Sequence, residues 1–174
     1  MNLVKPMIVF TTFWDAESVS KSGGFMIEDK IIKFSPHEIE LFSIALAQPK
    51  NLSAKKFPNL AFLNPTWNML KGYKSNRDWK TYTEEYKDIL VENKIEIANW
   101  IDSLNNKVYM LCCWENTCNG ANCHRKIVFN AFNMSKRTKD SAIYVYRDGD
   151  SNTYNKESQI IKIHSFLFEE GAIL

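Results

Sequence analysis

The stretch LCCWENTCNGANCHRKIVF, residues 111–129, holds all four cysteines of the chain and one of its three histidines. Thiols and imidazole bind soft metal ions, attack electrophiles and move protons near neutral pH, so their clustering is a chemical signal in its own right. Three chemistries compete for it. A zinc site needs thiolates and imidazole converging tetrahedrally, and Cys113, Cys118, Cys123 and His124 are formally sufficient. Their spacing speaks against it, because the paired C-x2-C knuckle is missing and Cys123 and His124 are adjacent; no metal or other cofactor is therefore expected. Thiol nucleophilic chemistry would use Cys123, whose thiolate a helix amino terminus and neighbouring Arg125 would favour. A phosphatase-type loop, with its nucleophilic cysteine and anion-holding arginine at a fixed spacing, is not matched from either Cys118 or Cys123. The third chemistry is a polar pocket for an anion, in which Arg125 supplies a forked donor, His124 a proton-active ring and Glu115 an acceptor or general base. Against all three stands plain packing: Cys112 and Cys113 fit an apolar run as small core residues, and His124 and Arg125 would then only cap a loop.

Position is what makes the segment a candidate. KVYMLCCW (107–114) is an apolar, β-rich run that predicts a central strand, and CHRKIVFNAF carries Ile127, Val128, Ala131 and Phe132 at the spacing of a buried helix face. Between them lies a polar loop. In α/β sheets ligands collect at the carboxyl ends of strands, where helix amino termini present free N–H groups. The same logic marks Thr11 and Thr12, at the end of a short predicted strand MIVF (7–10) that leaves into a polar loop, TTFWDAE.

The remaining elements are less uniform. GGFMIEDKIIKFSP (23–36) predicts a hairpin turning at Glu28–Lys30. Ser35-Pro36-His37-Glu38 fits a helix capping box, whereas ELFSIAL (40–46) equally fits a buried strand. Prolines at 49, 58 and 65 indicate an irregular connection, and TWNMLKGYK (66–74) predicts a helical turn or two ending near Gly72. Two amphipathic helices follow, one with Tyr82, Tyr86, Ile89 and Leu90 on a single face, the other with Ile97, Ile101 and Leu104. The tail shows two partly alternating runs, 141–148 and 158–168, around the turn signal DGDSN. His37, His164 and the short basic run SKRTK carry no motif, and Trp100 and Trp114 read as packing residues.

With 174 residues, 45% of them hydrophobic, one domain spanning 1–174 is expected. A formal net charge of +2 supplies no field that implies nucleic acid or an anionic membrane, so any anion site must be local. No apolar stretch approaches membrane-spanning length and the amino terminus lacks a secretory pattern, which points to a cytoplasmic protein with reduced thiols. The abundance of Lys, Asn and Ile is what an AT-rich genome, such as that of a phage, would give.

MIVFTTFW near the start, FSIALAQPK (42–50), LNPTWNMLKGYK (63–74), TYTEEYKDIL (81–90) and VYMLCCWE…CHRKIV (108–128) resemble, in that order, the stretches that mark the DUF488 family. The resemblance spans about residues 7–134. It implies a compact α/β domain, and with the runs described above the expected fold is a mostly parallel central sheet with flanking helices in a three-layer-like arrangement, plus a divergent, β-rich C-terminal extension over 135–174. It also implies a pocket at the strand ends carried by Glu115, Cys123, His124 and Arg125. Tyr82 and Tyr86 fall on the family's tyrosine-bearing helix, Trp67 and Lys74 match its SW…YK element, Ser43 opens its Ser-Ile-Ala stretch, and segment 40–46 is tipped toward strand. Two departures stand out. Leu46, Ala47 and Gln48 occupy positions where the family commonly has an arginine, and segments 20–38 and 135–174 diverge. The family has no established function, so no substrate is implied.

Two functions of different class follow as expectations. The first is an enzyme or binder of an anionic small molecule such as a nucleotide derivative. Cys123, His124 and Glu115 would do the chemistry, while Arg125, Thr11, Thr12, Ser43, Trp67, Lys74, Tyr82 and Tyr86 hold the ligand. The alternative is an interaction protein, such as a phage-encoded inhibitor or accessory factor, that binds a protein partner through the divergent segments.

Overall fold

A computed structural model describes residues 5–27, 30–115, 122–147 and 153–156. The chain forms an α/β domain around a seven-stranded sheet. Its strands are β1 (Met7–Thr12), β2 (Gly24–Ile27), β3 (Lys30–Lys33), β4 (Ile39–Ser43), β5 (Val108–Cys113), β6 (Ala142–Arg147) and β7 (Thr153–Lys156). The spatial order is β3-β2-β7-β6-β1-β5-β4. The four strands β4, β5, β1 and β6 run parallel, while β6/β7 and β2/β3 are antiparallel. Within the β-rich C-terminal extension, β6 lies inside the sheet beside β1 and β7 pairs with β6.

Parallel strands need covering on both faces. Alternation along β1 sends Phe10 against Phe129 and Phe132 of α5 (His124–Met134), at ring separations of 5.7 and 5.6 Å. On the same face Phe42 and Tyr109 meet Trp100 of α4 (Lys94–Asp102). The opposite face is covered by α1 (Phe13–Ser22), whose Phe13, Ala16 and Val19 are buried. Two further helices, α2 (Trp67–Asn76) and α3 (Trp79–Glu92), complete the layer that contains α5.

Three sequence expectations change here. TTFWDAE is not a loop: Thr12 caps α1 by accepting from the Asp15 N–H at 3.1 Å, and its hydroxyl donates to the Asp15 carboxylate at 2.8 Å. The helix ends at Gly23, whose φ of 72° is left-handed, and a Cβ there would sit 3.1 Å from the Phe34 carbonyl oxygen. The 35–46 segment satisfies both of its competing signals, since the capping box closes a short 3-10 turn (Pro36–Glu38) that feeds directly into β4. Helix α2 runs through Gly72 and stops only at Arg77. The predicted hairpin is present as β2 and β3, with residues 28–29 of its turn outside the described residues, as is the predicted strand at 158–168.

Candidate functional site

The carboxyl ends of β1, β5 and β4 lie level, with Thr12 opposite Cys113 and Ser43 opposite Cys112. Helix α5 begins at this edge. Its first two residues fasten it to strands on either side of β5: the His124 ring Nε2 lies 2.7 Å from the Ile44 carbonyl oxygen just past β4, and Arg125 donates to the Thr11 carbonyl of β1. A carbonyl can only accept, so Nε2 carries a proton and donates. In the neutral ring that leaves the lone pair on Nδ1. Nδ1 faces two sulfurs, the Cys113 Sγ at 3.9 Å and the Cys123 Sγ at 4.0 Å.

Cys113, Cys123 and His124 thus bring their ligating atoms to within 4.8 Å of one another, all three buried. Glu115 adjoins them, accepting from the Cys113 thiol at 3.2 Å. Cys123 sits at the N-cap of α5, a position that favours Ser, Thr, Asp or Asn, and its side chain makes no capping hydrogen bond. Helix stability therefore does not explain a cysteine there. Cys118 lies outside the described residues.

The electrostatics of this cluster are mutual. Burial, reinforced by the Cys113 sulfur, pushes the Cys123 thiol well above its ordinary value, which opposes the thiolate that nucleophilic chemistry would use. For Glu115 burial works upward, but the thiol hydrogen bonds from Cys123 and Cys113 outweigh it and hold the carboxyl below its usual range. Burial likewise opposes charge on His124, yet Cys123, the Ile44 carbonyl and Glu115 together raise its value.

Cys123, His124 and Glu115 form one wall of a hollow of about 240 Å³. Lys74 and Arg77 at the end of α2 bring positive charge to it, and Trp79 and Tyr82 of α3 bring aromatic faces. From this wall a column of rings leads inward: Trp79 stacks on Tyr82 at 5.2 Å, Tyr82 on Tyr86 at 6.2 Å, and Tyr86 lies 5.3 Å from the His124 ring. Tyr86 itself is fully buried and donates its hydroxyl to the Leu63 carbonyl, so it backs the site without lining it. Asn122 reaches the Tyr73 hydroxyl at 3.3 Å and closes one side.

Arg77 was not singled out by sequence and has an unusual backbone. Its φ of 58° is left-handed, where α2 ends and Asp78 caps α3. Glycine or asparagine normally takes this position, and a larger side chain there costs about 1–2 kcal/mol. The sequence signal was a helix terminus with arginine in place of glycine.

Of the expected ligand-holding residues, Lys74 and Tyr82 line the hollow and the others do not. Arg125 is completely buried. Its guanidinium is spent on the Thr11 carbonyl, the Glu115 carbonyl at 2.9 Å and the Tyr144 hydroxyl at 3.1 Å, and it lies over the Tyr144 ring. It braces strand ends, and it offers no donor to a molecule in the hollow. Thr12 caps α1, Ser43 hydrogen-bonds Ala45 and Asn59 in the turn after β4, Thr11 is buried in β1, and Trp67 is 65% exposed away from the hollow. Among the described residues no helix is long and apolar enough to cross a membrane. No protein-family model, curated protein or solved structure matches the chain.

Proposed function

We propose that the chain binds, and acts on, a small anionic molecule in the hollow between α2, α3 and the start of α5. The carrying observation is one of composition in space: two cations and three aromatic side chains share a single hollow with a carboxylate, a thiol and an imidazole. Cations hold a phosphate or carboxylate, rings stack on a flat heterocycle, and the carboxylate–imidazole wall exchanges protons with what is held. At about 240 Å³ the hollow falls below the roughly 300–1,000 Å³ of pockets for drug-sized ligands, which favours a molecule no larger than a nucleoside monophosphate. The same reading gives the DUF488-like motif a role, with Cys123 and His124 of its Cys-His-Arg on the wall and its arginine behind it.

Arg77 provides the sharpest test, because its left-handed backbone favours glycine over a long side chain. Arg77→Gly should raise stability by about 1 kcal/mol while weakening binding of nucleoside monophosphates about 10-fold, a charged hydrogen bond being worth roughly 1.5–3 kcal/mol. Calorimetric titration of wild type and variant against a panel of nucleoside monophosphates and inorganic phosphate measures the binding, and urea unfolding of each measures the stability. Failure of every anion to bind wild type, or equal affinity in the variant, removes the proposal.

A further inference from the structure

We infer that Cys113, Cys123 and His124 form a zinc-binding site whose fourth coordination position opens into the hollow beside Glu115. Zn–S bonds of about 2.3 Å and Zn–N bonds of about 2.0–2.1 Å at tetrahedral angles imply S···N separations near 3.6 Å. The observed separations from His124 Nδ1 are 3.9 and 4.0 Å, so the ring and each thiol need to close by only a few tenths of an ångström, and the two sulfurs, which zinc would hold about 3.8 Å apart, lie within 4.8 Å of each other.

Two features separate this cluster from a chance meeting of core cysteines. The first is the orientation of the histidine. Its Nε2–H is anchored on the Ile44 carbonyl, the outer-shell bond that metal-ligating histidines make, and this turns the Nδ1 lone pair toward both sulfurs. The second is the backbone between the adjacent ligands. Neighbouring residues seldom share an ion because their side chains diverge. Here Cys123 is extended, with φ −143° and ψ 138°, and His124 is the first helical residue, so the chain bends between them and both side chains turn to one point. The linear spacing that argues against zinc is bypassed by the fold, which supplies the third ligand from the end of β5.

The balance of the reaction is simple. Zn²⁺ enters, the two thiol protons leave, and the thiolates and the neutral imidazole donate their electron pairs, giving a site of zero net charge. Cys123, His124 and Glu115 share the hollow's wall, so the remaining position faces the space that Lys74 and Arg77 edge. A metal-bound water would stand there with the Glu115 carboxylate to receive its proton. The inference is independent of which anion the hollow takes, since metal retention is measured with no ligand present.

The test uses the full chain. Protein purified in reductant is stripped with chelator, loaded with Zn²⁺ or Co²⁺, passed through a desalting column and assayed for metal by mass spectrometry and for the visible Co²⁺ spectrum. One equivalent should be retained, with thiolate-to-cobalt charge transfer and tetrahedral d–d bands that shift on adding azide to the open position. Cys113→Ser, Cys123→Ser and His124→Gln should each weaken retention at least about 100-fold. Cys112→Ser alters a buried cysteine outside the cluster and should leave affinity within about 2-fold, which controls for damage to the core. Substoichiometric metal, a cobalt spectrum without charge transfer, or equal losses in the Cys112 and Cys123 variants overturns the site. A Co²⁺ spectrum indifferent to azide overturns the open position.

Discussion

Arg125 is the residue for which sequence and structure predict opposite phenotypes. As a ligand-holding guanidinium it would be removable at a cost in binding alone. As a buried brace it is worth stability. Its donors serve three acceptors, of which the Thr11 carbonyl and the Tyr144 hydroxyl belong to buried residues, while the Glu115 carbonyl belongs to a residue that is exposed as a whole although its carboxyl is partly buried against the thiols. Two buried acceptors losing charged donors at about 1.5–3 kcal/mol each give roughly 3–6 kcal/mol, and relief of the arginine's own desolvation brings the expectation to about 3–5 kcal/mol. Arg125→Met is the informative substitution, since it keeps the aliphatic stem and limits the cavity. Set against a total of about 5–15 kcal/mol for a typical domain, the loss is large. In urea unfolding followed by far-UV circular dichroism, with a slope of about 2 kcal/mol/M, the midpoint should fall by about 2 M. Arg125→Lys should recover only part of the loss, because one ammonium cannot replace a fork that spans β1, β6 and the Glu115 loop. A methionine variant within about 1 kcal/mol of wild type that has instead lost anion binding would refute the brace and restore the ligand role.

Further expectations rest on neighbouring groups. Tyr86→Phe leaves the ring column intact but deprives the Leu63 carbonyl of its donor, so thermal unfolding should shift down by a few degrees, corresponding to about 1–2 kcal/mol; an unchanged midpoint would show that the hydroxyl is not engaged. In metal-free protein Cys112, Cys113 and Cys123 should be alkylated by iodoacetamide only as fast as the fold opens, because all three are buried and burial drives the Cys112 and Cys123 thiols upward; peptide mapping that finds Cys123 modified at once would revive it as a nucleophile. The Glu115 carboxyl is held below its ordinary range in the folded protein, so its charged form favours the fold: that contribution is present above the ordinary carboxylate value and disappears as pH falls through the depressed one. The stability gap between wild type and Glu115→Gln should therefore be full at neutral pH and close on acidification, and a gap that widens instead would reverse the sign assigned to the thiol hydrogen bonds.

Much of the scaffold was legible because its signals are local. Val108–Cys113 is an unbroken apolar run and becomes the fully buried β5, and the 3.6-residue spacing of Tyr82, Tyr86 and Leu90 becomes the inner face of α3. Where reading failed, weak local cues were overruled by context. Helix α1 carries a Thr12–Asp15 cap and a thin stripe of Phe13, Ala16 and Val19, easily taken for a polar loop among Asp, Glu, Ser and Lys. Gly72 looks like a helix stop, yet it lies mid-helix, where a Cβ would meet nothing within 4 Å, and the true stop is a left-handed arginine that no propensity scale marks. Half of the hollow's lining, including Tyr73, Arg77, Trp79 and Asn122, is likewise built from residues that the sequence does not single out, and the Ile44 carbonyl that sets the histidine tautomer lies behind it.

The Cys-His-Arg triplet shows why a motif at a helix start should not be read as one chemical unit. Successive residues of a helix point about 100° apart, so at the first turn of α5 they address different neighbours. Cys123, still extended, faces the cluster; Arg125 is turned toward β1 and β6 and only braces; His124 points between, holding the end of β4 with one nitrogen and facing two sulfurs with the other. Level strand ends make this division possible, because only when β4, β5 and β1 finish together can consecutive residues reach carbonyls on both sides of β5. It follows that substitution of His124 alone cannot separate folding from chemistry, since the same ring serves both. The cysteines can: the Cys113 and Cys123 thiols form no hydrogen bond to a neighbouring strand's carbonyl among the described contacts, so a loss of metal or ligand on their replacement by serine reports on the cluster itself.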